Sequence, residues 1–190
     1  MSPDPSTAEL LEPYRAYLRT LAATQVYRDL QGKLDPSDIV QTVFVKAYEG
    51  FSNVRDRSPE VLLTWLQAIL KAELVDVVRH FHRQRRDVTR ERSLVQDVDH
   101  SAEALNGLAA ACQPSPSAIT VRNEELLRLA NAIDALDSDQ RTVVILKHLR
   151  QCSLAEISVE CHKTPAAVAG LLRRGLARLR EILDDPHSFL

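Results

Sequence analysis

Two helix-start signals near the C-terminal end of the chain constrain the fold more than any other feature. Ser153-Leu154-Ala155-Glu156 is a capping box, in which a serine hydroxyl and a glutamate carboxylate satisfy free backbone N–H groups. Thr164-Pro165 is a second start signal, and Cys161-His162-Lys163 interrupts the helical pattern between the two. Two short helices this close in sequence leave room only for a tight turn, so we expect a helix-turn-helix.

The second helix of this pair has separate apolar and polar faces. Its inward positions are expected to be Val168, Leu172, Leu176, Leu179 and Leu183. In a helix-turn-helix the start of the second helix meets base edges, while flanking groups hold phosphates. The alternative is an ordinary helical hairpin with a solvated arginine face. The expected DNA-binding residues are His162, Lys163, Thr164, Ala166, Ala167, Gly170, Arg173 and Arg174.

The whole sequence favours an all-α fold, because the 190 residues include only five glycines and 5% aromatic residues. We expect two small helical domains, 9–92 and 119–190. A loose tail, 1–8, precedes them, and a flexible, acidic, proline-marked linker, 93–118, joins them.

A long helix is predicted from Ser58-Pro59-Glu60 to about Arg83, and it also has two faces. Its apolar stripe runs through Leu63, Leu66, Leu70, Leu74, Val77 and Phe81. The opposite stripe runs through Trp65, Ala72, Asp76, Arg79 and Arg83. An indole with arginines suits stacking on unpaired bases and neutralisation of phosphates. Two alternatives stay open: another helix covers Trp65, or the arginines are a solvated helix end.

Charge and cysteine content narrow the class of protein further. The net charge of −2 argues against a uniformly basic nucleic-acid binder, but the stretch 79–92 carries six arginines and two acids. The three cysteines have no CxxC spacing, and no apolar run is long enough to span a bilayer, so a reduced, cytoplasmic protein is expected. His148, Cys152, Cys161 and His162 lack the spacing of a zinc site. No catalytic arrangement or phosphate-binding glycine loop is present either, so we expect no enzyme, no metal and no cofactor.

Several motifs resemble a known family when they are taken in order. Asp38-Ile-Val-Gln41-Thr-Val-Phe44-Val-Lys46-Ala-Tyr48, Trp65-Leu66-Gln-Ala-Ile69 and Asp76-Val-Val-Arg79 resemble region 2 of the extracytoplasmic-function (ECF) sigma factors of bacterial RNA polymerase. The run from Leu136 to Leu149 and the helix-turn-helix resemble region 4 of the same family.

The resemblance implies a role for each surface. The helix that begins near Asp38 would dock on core RNA polymerase, the following loop and long helix would open the minus-ten element, and the last helix would bind the minus-thirty-five element. Two departures reduce these contacts: Ala72 stands where the family usually has asparagine, and small residues replace polar ones on the last helix. The implied core-polymerase-binding residues are Asp38, Gln41, Phe44 and Lys46. The implied minus-ten residues are Asn53, Arg55, Arg57, Trp65, Asp76, Arg79, His80, Arg83, Arg85 and Arg86.

The leading hypothesis is therefore a transcription initiation factor that binds core RNA polymerase and promoter DNA, both as duplex and as the melted non-template strand. An anti-sigma factor is a further partner that the resemblance allows, and no membrane partner is expected. Two alternatives come from other classes: a stand-alone helix-turn-helix regulator of transcription, and a helical adaptor that binds only protein.

Overall fold

Local start signals set the bounds of the helices in the computed structural model, which describes residues 5–29, 34–81, 88–112 and 119–185. All regular structure in these ranges is helical, which confirms the all-α prediction. The α-helices are α1 (Pro5–Leu11), α2 (Arg15–Asp29), α3 (Pro36–Gly50), α4 (Pro59–Phe81), α5 (Val88–Cys112), α6 (Ile119–Asp134), α7 (Ser138–His148), α8 (Leu154–Glu160) and α9 (Pro165–Asp184). Short 3-10 turns occupy Glu12–Tyr14 and Phe51–Asn53.

The chain divides into two units, Met1–His100 and Ser101–Leu190. In the first unit α2, α3 and α4 pack against one another. Helix α4 buries every fourth residue, so the predicted stripe is displaced by one position at each end: Leu62 and Val78 are buried, whereas Leu63 and Val77 are half-buried. The side chain of Phe81, the last member of the predicted stripe, lies outside the described residues.

Polar contacts hold the same helices in register. The Asp35 carboxylate accepts a hydrogen bond of 2.7 Å from the Ser37 backbone N–H and so caps α3. The Gln67 amide donates to the Tyr17 hydroxyl and links α4 to α2. Burial raises the pKa of that hydroxyl, so Tyr17 stays neutral.

The second unit contains α6 to α9, and α9 packs against α6, α7 and α8. Its interior includes Leu126, Ile133, Val143, Leu146 and Ile157. Gly175 lies where α9 crosses α7, and a Cβ atom at this position would be 3.1 Å from Val144 Cγ2. The absence of a side chain at 175 therefore sets how closely the two helices approach.

Two segments differ from the sequence-based expectation. Residues 5–8, expected in the loose tail, begin α1, because Pro5 is at a helix start and Leu11 is fully buried. Residues 93–112, expected in the linker, belong to α5, on which Leu94, Val98 and Leu105 are buried at helical spacing. Residues 113–118 of that expected linker lie outside the described residues.

Within the described ranges, no helix combines the length and the apolar character that crossing a membrane requires. Cys152 and Cys161 are half-buried free thiols, and burial raises the pKa of each. Both thiols stay protonated and act as small, weakly polar packing groups.

Candidate nucleic-acid interface

The helix-turn-helix begins with the capping box that the sequence predicts. The Ser153 hydroxyl accepts from the Glu156 backbone N–H at 3.2 Å, and the Glu156 carboxylate accepts from the Ser153 backbone N–H at 2.7 Å. Hydrogen bonding to the Glu156 carboxylate, from the Ser153 backbone N–H first and from the Ser153 side chain second, lowers the pKa of Glu156. The reciprocal cap therefore fixes the first turn of α8.

The turn between α8 and α9 depends on one residue in the left-handed region. His162 has a φ of 52°, a conformation in which helices commonly end. The Lys163 backbone N–H then donates to the Ser158 carbonyl at 3.0 Å, and the Thr164 hydroxyl accepts from the Ala167 backbone N–H at 3.2 Å. The break at Cys161-His162-Lys163 and the restart at Thr164 are both confirmed.

The outward face of α9 carries most of the residues that the sequence assigned to DNA. Gly170 is half-buried beside the Arg174 guanidinium, since a Cβ at 170 would be 3.4 Å from Nη1 of Arg174. Lys163 is half-buried and its ammonium group lies 2.9 Å from the Asp139 carboxylate on α7, a contact that the sequence did not reveal. His162 and Thr164 are exposed just before α9, and the exposed members of the face itself are Ala166, Ala167, Arg173 and Arg174.

The inward face of α9 differs from its predicted register. Val168 and Leu179 are buried as expected, but Leu172, Leu176 and Leu183 are only half-buried. Gly175 and Ile182 occupy the buried positions instead. A glycine carries no hydrophobic signal in a sequence pattern, so its place at the helix crossing could not be found by periodicity.

Arginines that the sequence reasoning passed over hold the second unit together. Arg141 donates to the carbonyls of Asp134 and Leu136, at 2.6 and 2.9 Å, and thereby satisfies backbone acceptors at the end of α6. Arg150 lies 3.3 Å from Glu160 and joins the end of α7 to the end of α8. Burial raises the pKa of Glu160, even though Arg150 opposes that shift.

The loop before α4 rests on an aromatic contact in the first unit. The rings of Phe51 and Trp65 are 6.2 Å apart, and the Arg57 guanidinium lies 4.5 Å from the centre of the Phe51 ring. Trp65 is half-buried, so the indole supports the loop and keeps part of its surface accessible. Asn53, Arg55 and Arg57 are exposed.

The predicted DNA-facing stripe of α4 is on the surface. Ala72, Asp76, Arg79 and His80 are all exposed. The remaining predicted members, Arg83, Arg85 and Arg86, lie outside the described residues.

Helix α3 presents the surface that was assigned to polymerase. Asp38, Gln41 and Lys46 are exposed, and Val45, which the sequence reasoning missed, is 55% exposed on the same helix. Phe44 does not belong to this surface: it is 3% exposed, with the Arg15 guanidinium 4.3 Å above its ring. Its large apolar ring is buried on the inner side of α3, and it supports that helix instead of contacting a partner.

Lys46 connects α3 to α4 by ion pairs. Its ammonium group lies 2.5 Å from the Glu73 carboxylate and 3.9 Å from that of Asp76. Asp76 in turn lies 3.7 Å from the Arg79 guanidinium. The hydrogen bond to Glu73 is the main cause of a raised pKa for Lys46.

Comparison with known proteins agrees with this geometry. Residues 126–179 match the family model of sigma-70, region 4, a range that holds α7, α8 and most of α9. The chain is 25% identical over 182 residues (93% of this chain, 88% of the relative) to the RNA polymerase sigma-E factor of Streptomyces avermitilis. It is 24% identical over 164 residues (82% and 78%) to the ECF RNA polymerase sigma factor SigX of Bacillus subtilis. It is 28% identical over 150 residues (79% and 74%) to the RNA polymerase sigma factor CnrH of Cupriavidus metallidurans.

The region 4 match and the all-helical structure show that the second unit contains a helix-turn-helix similar to sigma-70, region 4. The similarity to these relatives, which are RNA polymerase sigma factors, extends over both units and supports the resemblance to the ECF sigma factors.

Proposed function

We propose that this chain is a transcription initiation factor that binds core RNA polymerase, directs it to specific promoters and helps to open the minus-ten element. The observation that carries this proposal is the capped helix-turn-helix within a region 4 match, α8 and α9 with His162 at the turn. The factor would act in the bacterial cytoplasm and would catalyse no reaction itself.

Helix α9 would bind the minus-thirty-five element as duplex DNA. Ala166 and Ala167 can contact a thymine methyl group but offer no side-chain donor or acceptor. Arg173 and Arg174 are exposed further along the helix, and each can bind a phosphate or a guanine edge. This face therefore favours recognition by backbone contacts and DNA shape, with few direct base contacts.

The loop 53–58 and α4 would hold the melted non-template strand. Trp65 offers part of an aromatic surface, while Arg55, Arg57 and Arg79 offer exposed positive charge. Stacking on aromatic groups together with phosphate neutralisation is the usual way to bind a single strand. Taking a base out of the stack costs a few kcal/mol, which such contacts offset.

Helix α3 would dock on core polymerase. Val45 is an exposed apolar side chain on a helix that also exposes Asp38 and Gln41. Protein interfaces commonly place an apolar centre inside a polar rim. This pattern supports a protein partner for α3. An apolar contact at Val45 would contribute to docking alongside the charged and polar side chains.

Promoter-dependent transcription with purified core polymerase tests the proposal. We expect defined start sites from a library of promoter fragments only when the protein is added. The Arg173→Ala, Arg174→Ala double variant should lower promoter affinity and reduce the log–log salt slope by roughly 0.9 for each lost phosphate contact. Arg178→Ala is the matched control, because Arg178 is an exposed arginine of the same helix that pairs with Glu181 at 2.9 Å.

Two results would contradict the proposal. One is the absence of start sites together with the absence of binding to core polymerase. The other is tight binding to a duplex operator without polymerase, which would favour a stand-alone regulator.

A further inference from the structure

Lys46 lies in a charged cluster that joins two surfaces of different proposed roles. It belongs to α3, the proposed polymerase-binding helix, yet its ammonium group contacts Glu73 at 2.5 Å and Asp76 at 3.9 Å on α4. Asp76 and Arg79 belong to the stripe of α4 that we propose to hold the promoter strand. The side chain of Lys46 therefore points towards α4 and forms ion pairs with carboxylates of that helix.

The charged side chains of this cluster differ in their exposure to solvent, and that exposure sets how strongly their charges interact. The Glu73 side chain is 12% exposed, whereas those of Asp76 and Lys46 are 60% and 43% exposed. A carboxylate at 12% exposure is less screened by solvent than an exposed one, so its attraction to the neighbouring ammonium group is stronger. Asp76 lies beside Arg79, at 3.7 Å, and competes with any phosphate for that guanidinium.

Charge balance within the cluster follows from these contacts. Lys46 and Arg79 supply two cations, and Glu73 and Asp76 supply two carboxylates. Without Lys46, one carboxylate is unbalanced next to the arginine that would meet a phosphate, and that excess negative charge repels the strand.

We propose that Lys46 is a positioning residue for the promoter strand, acting through Glu73 and Asp76, and that it is not a contact to core polymerase. This inference rests on the proposed function, because it assumes that α4 holds the melted strand. It reassigns one residue of the surface that the family resemblance attributed to polymerase binding.

Two equilibria measured on the same variants separate the possible roles of Lys46. The first is binding of the labelled protein to core polymerase. The second is binding of the resulting holoenzyme to a promoter fragment with a pre-melted minus-ten element, using a promoter that the wild-type protein selects from a library. Far-UV circular dichroism verifies that each variant keeps the helix content of the wild type.

Lys46→Met should leave core affinity within about twofold of wild type and weaken promoter binding about three- to tenfold. The double variant Lys46→Met, Glu73→Gln should return promoter affinity to within about twofold of wild type, because the half-buried carboxylate is then replaced by a neutral amide. Lys46→Arg keeps the cation and should behave as wild type.

Lys71→Met is the matched control. Lys71 is a lysine of α4 itself, and it pairs with Asp99 of α5 in the same unit. Its loss should leave promoter affinity within about twofold of wild type, since neither group belongs to the Lys46 cluster. A loss equal to that of Lys46→Met would mean that any missing lysine has this effect, and it would overturn the inference.

Three other outcomes overturn it as well. Weaker core binding by Lys46→Met would restore the direct polymerase contact. Unchanged promoter binding by Lys46→Met would mean that Lys46 has no role in holding the promoter strand. Failure of Glu73→Gln to restore promoter binding in the double variant would indicate that Lys46 contacts a phosphate directly. If the wild-type protein and core polymerase select no promoter at all, the proposed function fails before the variants are compared.

Discussion

The crossing of α9 over α7 provides a quantitative test of the packing in the second unit. Gly175→Ala adds one methyl group at a buried position, 3.1 Å from Val144 Cγ2 and 3.4 Å from Gln140 Cβ. In an exposed helix this change would stabilise by about 1 kcal/mol. Here Val144 is 2% exposed and β-branched, so it cannot move aside freely.

The close contact therefore outweighs the gain in helix propensity. Overpacking a well-packed core costs about 1–3 kcal/mol, so Gly175→Ala should lower the free energy of unfolding by about 1 kcal/mol. Val144→Ala alone leaves a cavity and should cost about 2 kcal/mol. In the double variant the new methyl group fills part of that cavity, so the combined loss should be at least 0.5–1 kcal/mol smaller than the sum, in line with typical coupling energies of about 0.5–3 kcal/mol.

Urea unfolding followed by far-UV circular dichroism measures these differences. The single tryptophan, Trp65, belongs to the first unit, so its fluorescence provides an internal reference on the same samples. Strict additivity of the two single variants would refute the reasoning, because it would mean that the methyl group added at position 175 and the side chain of Val144 do not compete for the same space.

Three further predictions concern polar contacts of the second unit. Ser153→Ala should cost about 1 kcal/mol by removal of a helix cap. The same variant should raise the pKa of Glu156 towards its ordinary value, because hydrogen bonds from Ser153 lower that pKa, and NMR titration measures the change. The folding stability linked to the lowered pKa is present above the unfolded-state pKa of Glu156 and is lost as the pH falls through its folded-state pKa. Arg141→Met leaves the carbonyls of Asp134 and Leu136 without their donor and should cost about 1–3 kcal/mol in urea unfolding; a change within error would place water on those carbonyls. Arg150→Met should raise the pKa of Glu160 further, because burial already raises it and Arg150 is the group that opposes the rise; an unchanged NMR titration would show that the pair does not persist in solution.

The helix-turn-helix was predictable from sequence because its determinants are local. Ser153 and Glu156 are three residues apart, and Thr164 bonds to a backbone N–H three residues later, so a short sequence window contains each complete cap. The outward position of Arg173 and Arg174 follows from the helical period in the same way.

Features that depend on distant contacts were not predictable. Gly175 is buried only because α7 lies against it, and a pattern of apolar residues gives a glycine no weight. Lys46 reaches carboxylates 27 or more positions away, so its engagement with α4 cannot be derived from its own helix. Phe44 fits a surface motif by resemblance, but its apolar ring favours burial over contact with a partner.

The acidic segment after residue 93 shows how composition can mislead. Its charges and small residues suggested a linker, yet Leu94, Val98 and Leu105 recur at helical intervals and are buried. The periodicity was present in the sequence, but the polar residues between these positions obscured it. Apolar spacing is a better guide than average polarity in such a segment.

The pairing of Lys163 with Asp139 has a consequence for how the protein scans a genome. A lysine that already has a carboxylate partner must exchange it for a phosphate, so its net electrostatic gain on any duplex is small. Non-specific DNA binding depends almost wholly on such gains. Lys163 would therefore add little to the binding of random sequence, and the electrostatic attraction of this face would come mainly from Arg173 and Arg174.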